Sequence, residues 1–191
     1  MAVAQKQTQY DKGYDKLKWG STIAEVEQIL GTTLEIDEDE SDDNPHTLTR
    51  VRKETINGNE VGWSYGFFDN KLYVVQKNIS EQNDDVKDEF VNEMGKSLNK
   101  EFGKEPTIKT VLISPTDNGH YGYQYTWKNK SVGVILRDGI PPVPGVGWAM
   151  GLYTGIAFTS IPILRLGSKL TEEKKAQEKE EAKQKARKLI K

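Results

Sequence analysis

Residues 61–75 read Val61-Gly62-Trp63-Ser64-Tyr65-Gly66-Phe67-Phe68-Asp69-Asn70-Lys71-Leu72-Tyr73-Val74-Val75, and this stretch decides the fold. Val61, Trp63, Tyr65 and Phe67 alternate strictly, so one face of an extended strand is apolar. Asp69-Asn70 makes a tight turn. Beyond it, Leu72 and Val74 are expected on one face of the next strand, Tyr73 and Val75 on the other. Upstream, Asn57-Gly58 is a hairpin signal, because both positions tolerate positive φ. It ties the β-branched run Thr47 to Ile56 to the same array, giving an antiparallel meander.

The same pattern returns downstream. Lys109 to Ile113 reads as a short strand, Tyr121, Tyr123, Tyr125 and Trp127 alternate without a break, and Asn129-Lys130 turns the chain into Val132, Val134 and Leu136. At an offset of about 60 residues, Trp63, Tyr65 and Phe67 fall on Tyr123, Tyr125 and Trp127, and Leu72 and Val74 on Val132 and Val134. One helix with one meander cannot bury its own sheet face, so two such units are expected to share a core.

Each meander has a helix before it. Leu17, Ile23, Val26, Ile29 and Leu30 give an apolar stripe over Tyr14 to Leu30, with Ser21 as the expected N-cap and Gly31 as the stop. Val86, Phe90, Val91, Met94, Leu98 and Phe102 repeat at helical spacing after a cap at Asp84 or Asp85, and Gly103 and Pro106 end that helix. The acidic run Glu35 to Asp43 has no apolar period and reads as an exposed loop. Ser168 to Lys191 is highly charged, with Thr171 as a cap candidate and only a thin apolar edge from Ala182, Ala186, Leu189 and Ile190. The fold class is therefore α+β: two helix-plus-meander units, helices on one face of an antiparallel sheet, and a charged C-terminal helix. The segments expected are a flexible lead-in over 1–13, units over 14–78 and 79–167, and a tail over 168–191.

Composition narrows function. The 191 residues carry 27 Lys plus Arg against 29 Asp plus Glu, a formal net charge of −2, which argues against a globally basic nucleic-acid binder. Cysteine is absent, so disulfides, thiolate metal sites and cysteine nucleophiles are excluded. Gly139 to Leu164 is uncharged, yet Pro141, Pro142, Pro144 and Pro162 break it up, so a loop followed by a strand from about Leu152 is expected, and no transmembrane span. Ala2-Val3-Ala4 resembles the residues before a signal-peptidase cut, which fits an exported protein whose signal peptide is not part of this chain; an ordinary alanine-rich start is the plainer reading.

Several short stretches carry a likeness. Lys18-Trp19-Gly20-Ser21 leads into the first helix with Val26, Ile29, Leu30 and Gly31. Phe67-Phe68-Asp69-Asn70-Lys71-Leu72-Tyr73-Val74 forms a strand-turn-strand, Phe102-Gly103-Lys104-Glu105-Pro106 ends the second helix, and Trp127-Lys128-Asn129-Lys130 opens the last hairpin. Together these resemble the beta-lactamase-inhibitory-protein-like superfamily, which includes small outer-membrane-assembly lipoproteins and exported bacterial proteins. The resemblance covers roughly residues 14–160. It implies a helical layer on an antiparallel sheet, in one or two copies, in a periplasmic or envelope protein that binds other proteins and catalyses nothing. The chain departs from it in having no cysteine for a lipid anchor or disulfide pair, and in its acidic loop and charged tail. Fold and general role carry over, inhibitor activity does not.

The chemistry-bearing residues are sparse. His46 and His120 are the two histidines, both in turn-like contexts, and Ser114 near Asp117 and His120 lacks a nucleophile-elbow pattern. Asp37, Asp39, Ser41 and Asp43 lack the glycine and terminal glutamate of a calcium loop. Pro141-Pro142-Val143-Pro144 reads as a stiff connector before it reads as a proline-rich ligand. No catalytic, metal or cofactor residue is expected. The aromatics are the candidate contact residues: Trp63, Tyr65, Tyr121, Tyr123, Tyr125 and Trp127. The expected partner is another protein, not nucleic acid, with peripheral membrane association through the tail as a further expectation. The alternative is a small-ligand or carbohydrate-binding protein that uses the same aromatics in a cleft.

Overall fold

The computed structural model describes residues 7–36, 46–56, 58–80, 84–114, 120–140 and 153–189. A 3-10 turn, Gln9–Lys12, leads into a two-stranded hairpin of β1 (Gly13–Tyr14) and β2 (Leu17–Lys18). Then come α1 (Ile23–Leu30), β3 (Glu35–Ile36), β4 (Thr47–Ile56), β5 (Asn59–Phe68), β6 (Lys71–Ser80) and α2 (Asp84–Phe102). The chain ends with β7 (Thr107–Ser114), β8 (His120–Lys128), β9 (Val132–Ile140), β10 (Tyr153–Ser160) and α3 (Ile161–Leu189). Eight strands form one antiparallel sheet in the order β3-β4-β5-β6-β10-β9-β8-β7, so the α+β class and the antiparallel sheet hold. Among the described residues, no helix is long and apolar enough to cross a membrane.

The first helix is shorter than its stripe implies. Tyr14 and Leu17 lie in the β1–β2 hairpin, whose turn puts Asp15 at φ 52°. Ser21 is not the cap. Its carbonyl accepts from Leu72 N, 2.8 Å away, while Gly20 N donates to Leu72 O, so the chain stays extended one residue further. Thr22 then caps α1 in a reciprocal pair with Glu25. Gly31, at φ 68°, closes the helix in the left-handed conformation that its missing Cβ makes easy.

The bulge in the central hairpin changes one expected face. Pairing shifts between Gly66 and Phe67, so Leu72 sits opposite Phe67 but Val75, not Gln76 or Val74, sits opposite Tyr65. Leu72 and Val75 therefore share the helix face, and Val74 lies on the other. A Cβ at Gly66 would come within 2.3 Å of the Val74 side chain, so glycine there is what admits the crowding.

Two apolar clusters fill the helix face. Val26 of α1, with Leu17 and Leu34, packs on Tyr65, Phe67, Leu72 and Val75. Leu98 and Phe102 of α2 pack on Trp127, Val134, Leu136, Ile156 and Phe158. Tyr14 and Trp19 pack against both clusters and join them. The described part of the expected flexible lead-in is tied into this junction. The Tyr10 ring lies 4.6 Å from Phe158, Trp19 Nε1 donates to Tyr10 O at 2.9 Å, and Asn129 Nδ2 donates to Asp11 at 2.7 Å.

The charged helix begins at Ile161, not near Ser168, and Thr171 is inside it rather than at its cap. Pro162 falls in the first turn, where a missing N–H costs nothing. Thr171 instead donates its hydroxyl back to Gly167 O at 3.0 Å. The first turns of α3 lie on the face opposite α1 and α2. A Cβ on Gly167 would stand 3.1 Å from the Phe68 ring, and one on Gly133 would stand 3.2 Å from Ile161 Cδ1. Phe68 and Gly133 alternate with the helix-face residues Phe67 and Val134.

Strand order also revises the internal likeness. A half-turn about an axis normal to the sheet, between β6 and β10, exchanges β6 with β10, β5 with β9, β4 with β8 and β3 with β7 in place and direction. The offset of about 60 residues instead sets β5 on β8, which stand third and second from their respective edges. That register is a likeness of two alternating strands and not a symmetry of the sheet.

Candidate functional site

The aromatic alternation on β5 and β8 faces the helices, and α1 and α2 cover part of it. Tyr65 and Trp127 are each 1% exposed and belong to the core. Trp63 and Tyr125 are half-buried, and Tyr123 is 43% exposed. Tyr121 pairs with Leu112 through its backbone, and its side chain lies outside the described residues. The six do not form one surface. β5 and β8 are separated by β6, β10 and β9, which at about 4.8 Å per strand places the two ladders about 19 Å apart.

Each ladder is regular because residues two apart share a face. Trp63 and Tyr65 stack with centroids 6.5 Å apart and planes at 11°. Tyr125 sits 6.5 Å from Tyr123 and 6.4 Å from Trp127. Beside each ladder, under its helix, is a cavity.

The cavity under α1, about 260 Å³, lies between the β1–β2 turn, Ile29 and Leu30 of α1, and Arg52, Trp63 and Tyr65 of the sheet. Pairing places Arg52, Trp63 and Lys77 in one row across β4, β5 and β6. The Arg52 guanidinium lies 5.8 Å from the indole centroid and the Lys77 ammonium 5.3 Å from it. Glu54 accepts from Trp63 Nε1 at 2.6 Å and pairs with Arg52 Nη2 at 3.3 Å. Arg52 Nε is buried and has no acceptor among the described residues. Burial pushes the Tyr65 phenol up to about 12, against the pull of the Arg52 guanidinium, and burial likewise pushes Tyr14 to about 12.

The cavity under α2, about 240 Å³, runs between Val91, Lys96 and Asn99 of the helix and Ile108, Tyr125 and Trp127 of the outer strands. Trp127 Nε1 donates to Asn99 Oδ1 at 2.8 Å, and Asn99 Nδ2 donates to Glu105 at 2.6 Å. Burial, then the nearby Asp138, raises the Tyr125 phenol above its usual value. Ile108, 59% exposed, stands opposite Tyr125 on β7, and β7 is the last strand of the sheet.

The remaining candidates are dispersed. His46 pairs with Asp69 at 2.6 Å on an exposed turn. Ser114 and His120 are register partners in β7 and β8, but their side chains, Asp117, the acidic residues from Asp37 to Asp43, and Pro141 to Pro144 lie outside the described residues. Among the described residues, no group of three His, Asp or Glu side chains is placed to hold a metal ion.

Arg52, Lys77, Asn99 and Ile108 are the functional-site neighbours that composition and periodicity do not single out. For Arg52 a signal exists. The Asn57-Gly58 hairpin signal in the sequence predicts Ile56 opposite Asn59 and so Arg52 opposite Trp63, which is the pairing observed. Comparison of the chain with protein-family models, with curated proteins and with solved structures returns no match.

Proposed function

We propose that this chain is a non-enzymatic protein–protein interaction module of the bacterial cell envelope. Its contact surface is the outer corner where β7 and β8 emerge beside α2. The observation that carries the reading is the exposure of Tyr123 and Ile108 on the helix face of the two outermost strands, where Ile108 lines the cavity under α2. A tyrosine and an isoleucine held on rigid strands offer contact area at little cost in side-chain entropy. Among the described residues β7 is the last strand of the sheet, and its outer edge adds backbone groups that another extended segment can pair with. The expected contact set narrows to Tyr123 and Tyr125 with Ile108, because Tyr65 and Trp127 are spent on the core, Trp63 stands on the distant β5 ladder, and the Tyr121 side chain lies outside the described residues. The envelope location rests on the family resemblance alone.

The same reading takes the two four-strand halves as tandem units related by the half-turn, at an offset of about 72 residues. Gly31 and Gly103 end the two helices at that spacing, and β3 and β7 begin at it, at Glu35 and Thr107.

A photo-crosslinking residue placed at position 123, in the cells that make the protein, tests the contact surface. A discrete adduct from position 123 is expected, suppressed by Ile108→Asp, and absent when the crosslinker replaces the exposed Glu172 of α3. Equal labelling from both positions, or none from position 123, removes this surface.

A further inference from the structure

We propose that the cavity between α1, the β1–β2 turn and the Arg52–Trp63 pair binds a small organic monoanion, a carboxylate with a short apolar body. This site is separate from the β7–β8 corner.

The walls present one polar end and one apolar end. Ile29, Leu30, Leu17 and Val75 supply the apolar end, and Arg52 the cationic one. Asp15 and Lys16 stand together on the turn and cancel in charge. Beneath the wall, Glu54 offsets one of the two cations that flank the Trp63 indole, Arg52 and Lys77. The count over these groups leaves about one positive charge, and the Lys77 ammonium has no hydrogen-bond or ion-pair partner among the described residues. A half-buried excess of positive charge favours an anion.

Arg52 gives the second, independent observation. Its Nη2 holds Glu54, and its Nε is sealed off without an acceptor among the described residues. Its side chain, 24% exposed, is the cationic group that the sheet contributes to the cavity lining. A guanidinium favours a carboxylate, and with Glu54 already on Nη2 the site balances one further negative charge rather than two. Size limits the rest of the ligand. The cavity, at about 260 Å³, falls just below the range of about 300–1,000 Å³ that holds drug-sized molecules, which fits a single ring or a short chain.

The experiment titrates the intact chain with benzoate and hexanoate, with benzamide as the neutral isostere and inorganic phosphate as the competing anion. The readout is the Trp63 indole N–H resonance, assigned by its loss in Trp63→Phe. The proposal expects saturable shifts with at least one carboxylate, none with benzamide, and at least tenfold weaker binding to Arg52→Gln. Arg52 also supports Trp63, so a second variant guards the test. Ile29→Glu, at the exposed mouth, is expected to leave the melting temperature within a degree or two and to abolish the shift. No response to either carboxylate at tens of millimolar overturns the proposal. So does equal binding of benzamide, preferential binding of phosphate, or undiminished binding by Ile29→Glu.

Discussion

Trp127 on β8 donates its indole N–H to Asn99 on α2, 2.8 Å away, and the ring itself is almost wholly buried. The bond does what apolar packing alone cannot. Leu98 and Phe102 hold α2 on the sheet but leave its rotation and slide soft, whereas a directional bond fixes the register of helix against strand. Asn99 Nδ2 continues to Glu105, so the last turns of α2 and the connection into β7 are held by the same amide. Asn99→Ala should therefore destabilise the fold by about 1–3 kcal/mol, since it strands a buried N–H. In a double-mutant cycle with Trp127→Phe, the two substitutions should couple by at least 0.5 kcal/mol, on the scale of about 0.5–3 kcal/mol for residues in contact. Additive effects in urea melts would show that the bond does not hold the helix.

Two tyrosines, Tyr65 in the core and the partly buried Tyr14, make stability fall in strong base. Tyr14 and Tyr65 are raised to about 12 by burial, which disfavours the phenolate in the folded state. Their folded values lie above the unfolded value of about 10, so the stabilisation is fully present below pH 10 and is lost as pH rises from 10 toward 12. For Tyr65, 1% exposed, the limiting slope is about 1.4 kcal/mol per pH unit in that window. Chemical denaturation at a series of pH values should show the decline. Tyr65→Phe should flatten it, while costing stability at neutral pH through the lost contact with Arg52. An unchanged slope in Tyr65→Phe would mean that the decline arises elsewhere.

Gly155 is irreplaceable for reasons of space. A Cβ there would stand 2.4 Å from Asn78 Oδ1 and 2.8 Å from the Lys77 backbone oxygen. The Asn78 side chain cannot simply swing away, because its oxygen also accepts from Gln76 Nε2 at 2.9 Å. Gly155 pairs with Asn78 at the β6–β10 seam that joins the two halves of the sheet. Gly155→Ala should cost about 1–3 kcal/mol, the usual scale for overpacking. Asn78→Ala relieves the clash and should recover part of that loss in the double variant. A Gly155→Ala protein as stable as the parent would place this seam wrongly.

The sequence was most legible where periodicity and turn chemistry agreed. The β4–β5 hairpin and α2 to its last residue follow from alternation, spacing and glycine stops, whereas Tyr65 and Trp127, expected as contact residues, are core. What alternation cannot carry is a change of phase. The bulge at Gly66 moves the partner of Trp63 from Gln76 to Lys77, so the cation row under α1 is invisible until the register is known. The stripe from Leu17 to Leu30 misleads for a related reason. Leu17 is apolar because it plugs the core from a hairpin, and burial alone does not say which backbone delivers it. The likeness of the Trp63 and Tyr123 strands misleads too, because strict alternation is shared by any two half-buried strands. Strand order, which only long-range pairing sets, is what separates their places in the sheet.

The cap of α1 offers a local test of the same distinction. Ser21 and Thr22 are both good capping types, and only one does the work. Thr22 Oγ1 accepts from Glu25 N at 3.3 Å, and Glu25 accepts from Thr22 N at 2.7 Å. Thr22→Ala should cost about 1 kcal/mol, and Ser21→Ala close to nothing. The Glu25 carboxyl carries a second signature. The backbone N–H of Thr22, then its hydroxyl, hold that carboxyl below the usual carboxylate range. The stabilisation is thus present above the unfolded value and disappears as pH falls through the lowered folded one. An NMR titration of Glu25 should show its pKa returning toward the ordinary carboxylate value in Glu25's neighbour variant Thr22→Ala, where the hydroxyl partner is gone, and unmoved in Ser21→Ala. The reverse pattern would return the cap to Ser21 and extend the helix by one residue.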